Sequence, residues 1–319
     1  MRLGIKALLA LVVTVAAVAA ITQWRAGVQE TRAETRFPPE GDLLTVDGVT
    51  VHAVVMGSGP DLVLIHGASG NSRDMTFSLA PRLAERYRVI MFDRPGLGYT
   101  ERLNSTGASL NQQATLLARA AGQLGADKPI VMGHSYGGAV ALAWAIAHPE
   151  NIAALVAVSA PSNPWTTPLD PLYRVTSSWW GKLFVVPLLT AFVSEDRIEE
   201  AIESVFPPQT PPKGYEDHIG ALLTLRRVSM RANADQRANL LDEIERQLPD
   251  YANITAPTEI VHGTADTTVG LSIHSEKLVH QIDGAVLTRL DGIGHMPHHA
   301  AEDDVVAAID RAAARAGLR

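Results

Sequence analysis

The chain has 319 residues, 46% of them apolar, enough for a sizeable core in one large domain or in one domain that carries an insertion. Its 27 Lys and Arg stand against 34 Asp and Glu, a net charge of −7, so no broad positive field is offered and no nucleic-acid partner is expected. Cysteine is absent, which excludes disulfides, thiolate metal sites and a cysteine nucleophile, and leaves the redox compartment open.

Arg2 and Lys6 precede an uncharged run over residues 7–24 built mostly of Ala, Val, Leu and Ile. Its length suits a bilayer span, and Trp24 falls where an interfacial aromatic sits. Residues 1–24 therefore read as a membrane anchor, and the two leading cations predict N-in, with everything after the span non-cytoplasmic. The alternative is a cleaved signal peptide, with Ala17-Val18-Ala19 as a small-residue cleavage site and a secreted or periplasmic product. A buried soluble helix is disfavoured because the run has no polar face. Residues 25–42, polar and carrying Phe37-Pro38-Pro39-Glu40-Gly41, read as a linker that cannot continue the helix and holds the remainder off the membrane.

Residues 43–46 and 50–56 flank Asp47-Gly48, a strong hairpin signal, so the sheet is expected to begin with antiparallel strands. The apolar run 62–65 fits a strand buried on both faces, and it delivers His66-Gly67-Ala68 at its end. Residues 88–92 give another strand, followed by Asp93-Arg94-Pro95-Gly96-Leu97-Gly98-Tyr99, and a helix is expected over 109–124. Then comes Gly133-His134-Ser135-Tyr136-Gly137-Gly138, between a β-prone stretch at 128–132 and an Ala-rich helical stretch at 139–148. This fits G-x-S-x-G, in which glycines on either side leave room for a serine on a sharp strand-to-helix turn.

A buried strand over 152–158 precedes a change of pattern at 163–250, where Pro164, Pro168, Pro171, Pro207, Pro208, Pro211 and Pro212 interrupt short amphipathic segments. Eight aromatic residues fall there: Trp165, Tyr173, Trp179, Trp180, Phe184, Phe192, Phe206 and Tyr215. Some of them are expected to line an apolar pocket over Ser135, and the rest to pack the insert. Residues 258–262 return to a strand that ends in Gly263-Thr264-Ala265-Asp266. A last strand at 285–290 leads to Gly292-Ile293-Gly294-His295-Met296-Pro297, and residues 302–316 close as an amphipathic helix. His298 and His299 follow His295, but without a carboxylate or further His at recognised spacing no metal site is expected.

At the G-x-S-x-G stretch the chain resembles the α/β-hydrolase superfamily, and His66-Gly67-Ala68, Asp266 and His295 match its further stretches in the expected order. The resemblance implies an α/β fold with a mostly parallel central sheet flanked by helices. It further implies a core of residues 43–162 and 251–319, a helical cap at 163–250, and the hydrophobic helix in front. It assigns Ser135 as nucleophile, Asp266 as acid and His295 as base, with the N–H groups of Ala68 and Tyr136 forming the oxyanion hole. His66 and Asp93 are expected to be structural; Asp93 precedes the serine, whereas the acid on this fold follows it.

No cofactor is required by such machinery. It suits esters, thioesters, lactones and amides, and a carboxylesterase acting on a small-molecule ester with an apolar acyl group is the expectation. Alternatives are hydrolysis of a carbon–carbon bond in ring-fission products and a non-catalytic ligand-binding protein of the same fold. The complete Ser, Asp and His set favours an enzyme.

Overall fold

A computed structural model describes residues 2–318. Helix α1 (Arg2–Arg36) comes first. Over residues 4–21 it is exposed on every side, although its side chains are almost all apolar. From Thr22 on, one stripe is covered: Thr22, Ala26, Ala33 and then Phe37 are buried, a spacing that puts them on one helix face.

The expected linker over 25–42 is corrected here, because the helix runs on to Arg36 and lies against the protein. Two causes are visible. The first helix-breaking residue is Pro38, after a run of helix-compatible residues, and the acidic side chains of that run find partners. Glu30 pairs with Arg227 at 2.6 Å and Glu34 with Arg226 at 3.0 Å.

Among the described residues the sheet has eight strands: β1 (Asp42–Val46), β2 (Val49–Met56), β3 (Asp61–Ile65), β4 (Arg88–Phe92), β5 (Ile130–His134), β6 (Ala154–Val158), β7 (Thr258–Gly263) and β8 (Val286–Leu290). Their order is β1-β2-β4-β3-β5-β6-β7-β8. The pairs β1–β2 and β2–β4 are antiparallel and all others are parallel. Asp47 and Gly48 both take positive φ, 51° and 80°, as a two-residue hairpin turn demands.

Between β3 and β4 lie α2 (Arg73–Thr76) and α3 (Leu79–Leu83), and between β4 and β5 lies α4 (Leu110–Gln123). Ser109 caps α4, its side chain taking the Gln112 N–H while the Gln112 side chain returns to the Ser109 N–H. Helix α5 (Tyr136–Ala147) follows β5.

Adjacent residues of the central strands serve opposite layers. Val63, Ile65, Ile90, Phe92 and Val131 pack with α4 and α5, while Leu62, Leu64, Val89, Met91 and Met132 pack with α3 and the C-terminal helix. Burial on both faces explains the unbroken apolar runs, and each such side chain contributes roughly 1.5–3 kcal/mol.

Inserted between β6 and β7 are α6 (Pro171–Ser177), a π-helical turn (Gly181–Val185), α7 (Val186–Phe192), α8 (Glu195–Glu203), α9 (Tyr215–Ile219) and α10 (Arg227–Gln247). Helix α7 packs along α1. The insert's aromatics divide among several places, and Tyr173 brings its hydroxyl to 3.4 Å from Ser69 Oγ, on the loop that carries Ala68. Trp179, Trp180, Phe184 and Phe192 are exposed, Phe206 and Tyr215 are buried in a separate cluster with Met296, and Trp165 packs on the main core.

The inner face of α10 carries polar groups instead, with Ser229, Asn233, Asp235 and Gln236 buried. After β7 come α11 (Ser275–Gln281), α12 (Pro297–Ala300) and α13 (Glu302–Arg315). This topology delivers the loops bearing His66, Asp93, Ser135 and Asp266 to the carboxyl ends of parallel strands, and His295 to the loop after β8.

Candidate active site

Ser135 connects β5 to α5 with φ 51° and ψ −121°, a backbone region that a residue with a side chain rarely adopts and that stores about 1–3 kcal/mol. Two glycines allow the turn. A Cβ on Gly133 would stand 2.1 Å from the Gly137 carbonyl oxygen, and one on Gly137 would stand 2.2 Å from that of Ile65. The Ser135 N–H donates to Val158 O at 2.9 Å, which ties the turn to the neighbouring strand.

His295 Nε2 lies 3.0 Å from Ser135 Oγ, and His295 Nδ1 lies 2.8 Å from Asp266 Oδ2. The three predicted residues, from three separate loops, thus form one hydrogen-bonded line. Burial pushes the Asp266 carboxyl up, but hydrogen bonds from His262 and His295 outweigh that and hold it well below the usual carboxylate range. Asp266 Oδ1 also accepts the N–H groups of Thr268 at 2.9 Å and Val269 at 2.8 Å. An ionised Asp266 fixes the proton on His295 Nδ1 and leaves Nε2 able to accept from Ser135.

Two histidines without an expected role complete this arrangement. His262 Nε2 sits 3.2 Å from Asp266 Oδ2 and 2.7 Å from Val269 O, while its Nδ1 is 2.6 Å from Ser275 Oγ. The Nε2 nitrogen, facing two acceptors, carries the proton, so His262 donates toward Asp266 and holds it in place. His134, beside Ser135, donates from Nε2 to the His295 carbonyl oxygen at 2.9 Å and steadies the His295 backbone. Both residues lie inside recognised stretches; the partners of His262 are near in the chain, four to thirteen residues on, whereas His134 meets His295 from 161 residues away, a contact with no local signal.

The loop after β3 lies against Ser135, since a Cβ on Gly67 would be 3.3 Å from Ser135 Cβ. Ala68 follows on this loop, and Tyr136 opens α5, where an N–H has no acceptor within the helix. Arg94, buried under the insert, braces the loop by donating to His66 O at 3.1 Å and Gly67 O at 3.0 Å. It also donates to Gln113 at 3.0 Å and Gln236 at 2.7 Å, and burial draws its pKa down to about 10.

His66 has the structural place expected of it. Its Nε2 accepts the Arg94 N–H at 2.9 Å and its Nδ1 donates to Gly67 O at 2.9 Å. Burial, aided by the Arg94 charge, lowers its pKa to about 4. Asp93 likewise serves its own turn. It accepts from His52 at 2.7 Å, Ser72 N at 2.6 Å and Tyr99 N at 2.8 Å. A Cβ on Gly98, at φ 49°, would stand 1.9 Å from the Asp93 carboxylate, which explains the glycine.

The family model described as Alpha/beta hydrolase family matches residues 62–308. A 2-hydroxy-6-oxononadienedioate/2-hydroxy-6-oxononatrienedioate hydrolase of Klebsiella pneumoniae is 28% identical over 260 residues, 78% of this chain and 82% of its own. A solved membrane phospholipase A, described as a bacterial virulence factor, superposes with TM-score 0.65 at 21% identity, covering 98% of this chain and 99% of its own. An esterase from Exiguobacterium antarcticum gives TM-score 0.68 at 22% identity over 85% of this chain and 99% of its own. At such identities the structural likeness speaks for the fold alone.

Proposed function

Because the chain belongs to the α/β-hydrolase family and is a hydrolase, we propose that it cleaves carboxylic esters of small molecules through an acyl-enzyme on Ser135. The observation that carries this reading is the line Ser135–His295–Asp266, with its 3.0 Å and 2.8 Å contacts. His295 takes the Ser135 proton as Oγ attacks the ester carbonyl, and returns it to the departing alcohol. Water then attacks the acyl-enzyme, again giving its proton to His295, and releases the acid and free Ser135. Asp266 stabilises the imidazolium in both halves, and the Ala68 and Tyr136 N–H groups receive the negative oxygen, each worth a few kcal/mol in comparable enzymes.

The Klebsiella relative supports a second reading, carbon–carbon bond hydrolysis in a ring-fission product. Turnover of p-nitrophenyl esters of graded acyl length, against a vinylogous 1,5-diketone acid, separates the two. For the first reading, Ser135→Ala abolishes both ester turnover and labelling by a serine-directed phosphonate while the protein stays folded. Retained ester turnover in clean Ser135→Ala protein overturns it.

We further infer that residues 7–24 anchor the enzyme in a membrane, with the catalytic domain on the non-cytoplasmic side. Supporting this is the fully exposed apolar surface of residues 4–21.

A further inference from the structure

We propose that Asp74, His298 and His299 form a binding site for one divalent transition-metal cation of the Zn2+ type, separate from the triad. Sequence offered two adjacent histidines and no carboxylate at a recognised spacing. The fold supplies one, by bringing α2 against α12.

Asp74 on α2 faces both imidazoles of α12. His299 Nε2 lies 2.9 Å from Asp74 Oδ1, and His298 Nε2 lies 3.3 Å and 3.2 Å from its two oxygens. The three ligand atoms all fall within 4.8 Å of one another, and the side chains are 5%, 0% and 0% exposed. Zn2+ binds imidazole nitrogen and carboxylate oxygen at about 2.0–2.2 Å in tetrahedral array, which sets ligand atoms slightly over 3 Å apart. Small shifts would therefore admit the ion. Two imidazoles and one carboxylate are also the donor set that borderline divalent ions prefer.

Three other buried histidines of the fold serve as ties between separate groups. His52, His66 and His262 each use both ring nitrogens, on partners that lie apart. His298 and His299 instead turn one nitrogen each toward the same carboxylate; their Nδ1 atoms, like that of His134, are buried without a partner. Convergence of this kind assembles a ligand set.

Around it the structure has two further features of a metal site. The Tyr215 hydroxyl donates to Asp74 Oδ1 at 2.7 Å, an outer hydrogen bond of the type that orients a ligating carboxylate. A cavity of about 340 Å³, lined in part by Pro208, Gln209, His299 and Ala300, adjoins one residue of the cluster. Three protein ligands leave a fourth position for water.

The site is linked to the proposed base. The His134 ring lies 4.1 Å from that of His298, and His134 holds the His295 carbonyl. A bound cation would thus clamp α12, just after His295, to α2.

The test uses untagged full-length protein in detergent, stripped with EDTA and titrated with Zn2+ by calorimetry and with Co2+ by visible absorption. One ion per chain is expected, with ligand-field bands for Co2+ in a four-coordinate site and a Zn2+-dependent rise in the thermal midpoint. Tyr215→Phe should weaken binding about 10- to 100-fold. His299→Gln and Asp74→Asn should weaken it further and remove the thermal shift. If Asp74→Asn does not fold, His299→Gln, at the edge of the cavity, decides. The proposal is overturned if folded wild-type protein takes up no stoichiometric ion, or if affinity is unchanged in His299→Gln.

Discussion

Arg94 Nη2 donates to the Gly67 carbonyl oxygen at 3.0 Å, and across the same trans peptide the Ala68 N–H must point the opposite way. A buried guanidinium therefore sets the direction of one proposed oxyanion donor without touching substrate. Arg94→Lys keeps a cation but loses the planar fork that holds the His66 and Gly67 carbonyls together. The expected result is a fall in kcat of up to about 100-fold, with KM little changed, since the donor matters most once the oxygen is charged. Steady-state kinetics on a p-nitrophenyl ester measure this. An unchanged kcat in a folded variant would show that the brace has no part in turnover.

Asp266 and Asp93 are both buried carboxylates held by a histidine, and their pKa values are both lowered against burial by their hydrogen bonds. Only their partners differ: Asp266 meets His295, whereas Asp93 meets His52 and the backbone of its own and a neighbouring turn. Asp266→Asn should lower kcat by roughly four orders of magnitude, by favouring the wrong His295 tautomer, and leave the fold intact. Asp93→Asn should instead lower the unfolding midpoint and spare kcat in the molecules that remain folded. The reverse pattern would move the acid to Asp93.

Acid should weaken the fold before the carboxylates titrate. His66 and His274 are both pushed down to about 4, chiefly by burial. Their folded pKa values lie below the unfolded value near 6.5, so the unfolded chain takes up protons first as pH falls. Their full contribution is present above pH 6.5 and is lost between there and about 4, on the order of 3 kcal/mol for each group. Thermal unfolding followed from pH 7.5 to 4 should show a falling midpoint, and His66→Gln should make the decline shallower. A flat midpoint across that window would mean that these imidazoles are not buried neutral.

The sheet and the meeting of Ser135, His295 and Asp266 were legible because each depends on local sequence. Apolar runs such as 62–65 mark strands buried on both faces, Asp47-Gly48 marks the hairpin, and Ser135 is announced by glycines that its turn requires. What was hidden depends on distant partners. Nothing near Asp74 points to His298, 224 residues away, and nothing near Glu30 points to Arg227, 197 residues away. The insert misled for a related reason: aromatic content does not tell which face of a short helix meets the core, and Trp179 is in fact 76% exposed.

Helix α1 divides at about Thr22 into an exposed apolar half and a half docked on the insert, and the two halves make separate predictions. Cleavage after Ala19 would remove most of the first half but keep Thr22, Ala26, Glu30, Ala33 and Phe37, the groups that meet the protein. If the helix is an anchor, intact mass gives the full-length chain in the detergent fraction; a soluble chain that begins near Ala20 overturns that reading. Truncation separates the roles further. Removing residues 1–19 should release the enzyme from the membrane with its unfolding midpoint unchanged. Removing residues 1–36 should also strip Arg226, 8% exposed at its side chain, and Arg227 of Glu34 and Glu30, and uncover the surface that Ala26 and Ala33 bury. Turnover should persist, because no proposed catalytic group precedes His66, but the midpoint should drop by roughly 2–4 °C for every kcal/mol of docking lost. Equal midpoints for the two truncations would show that the docked half adds nothing to the stability of the fold.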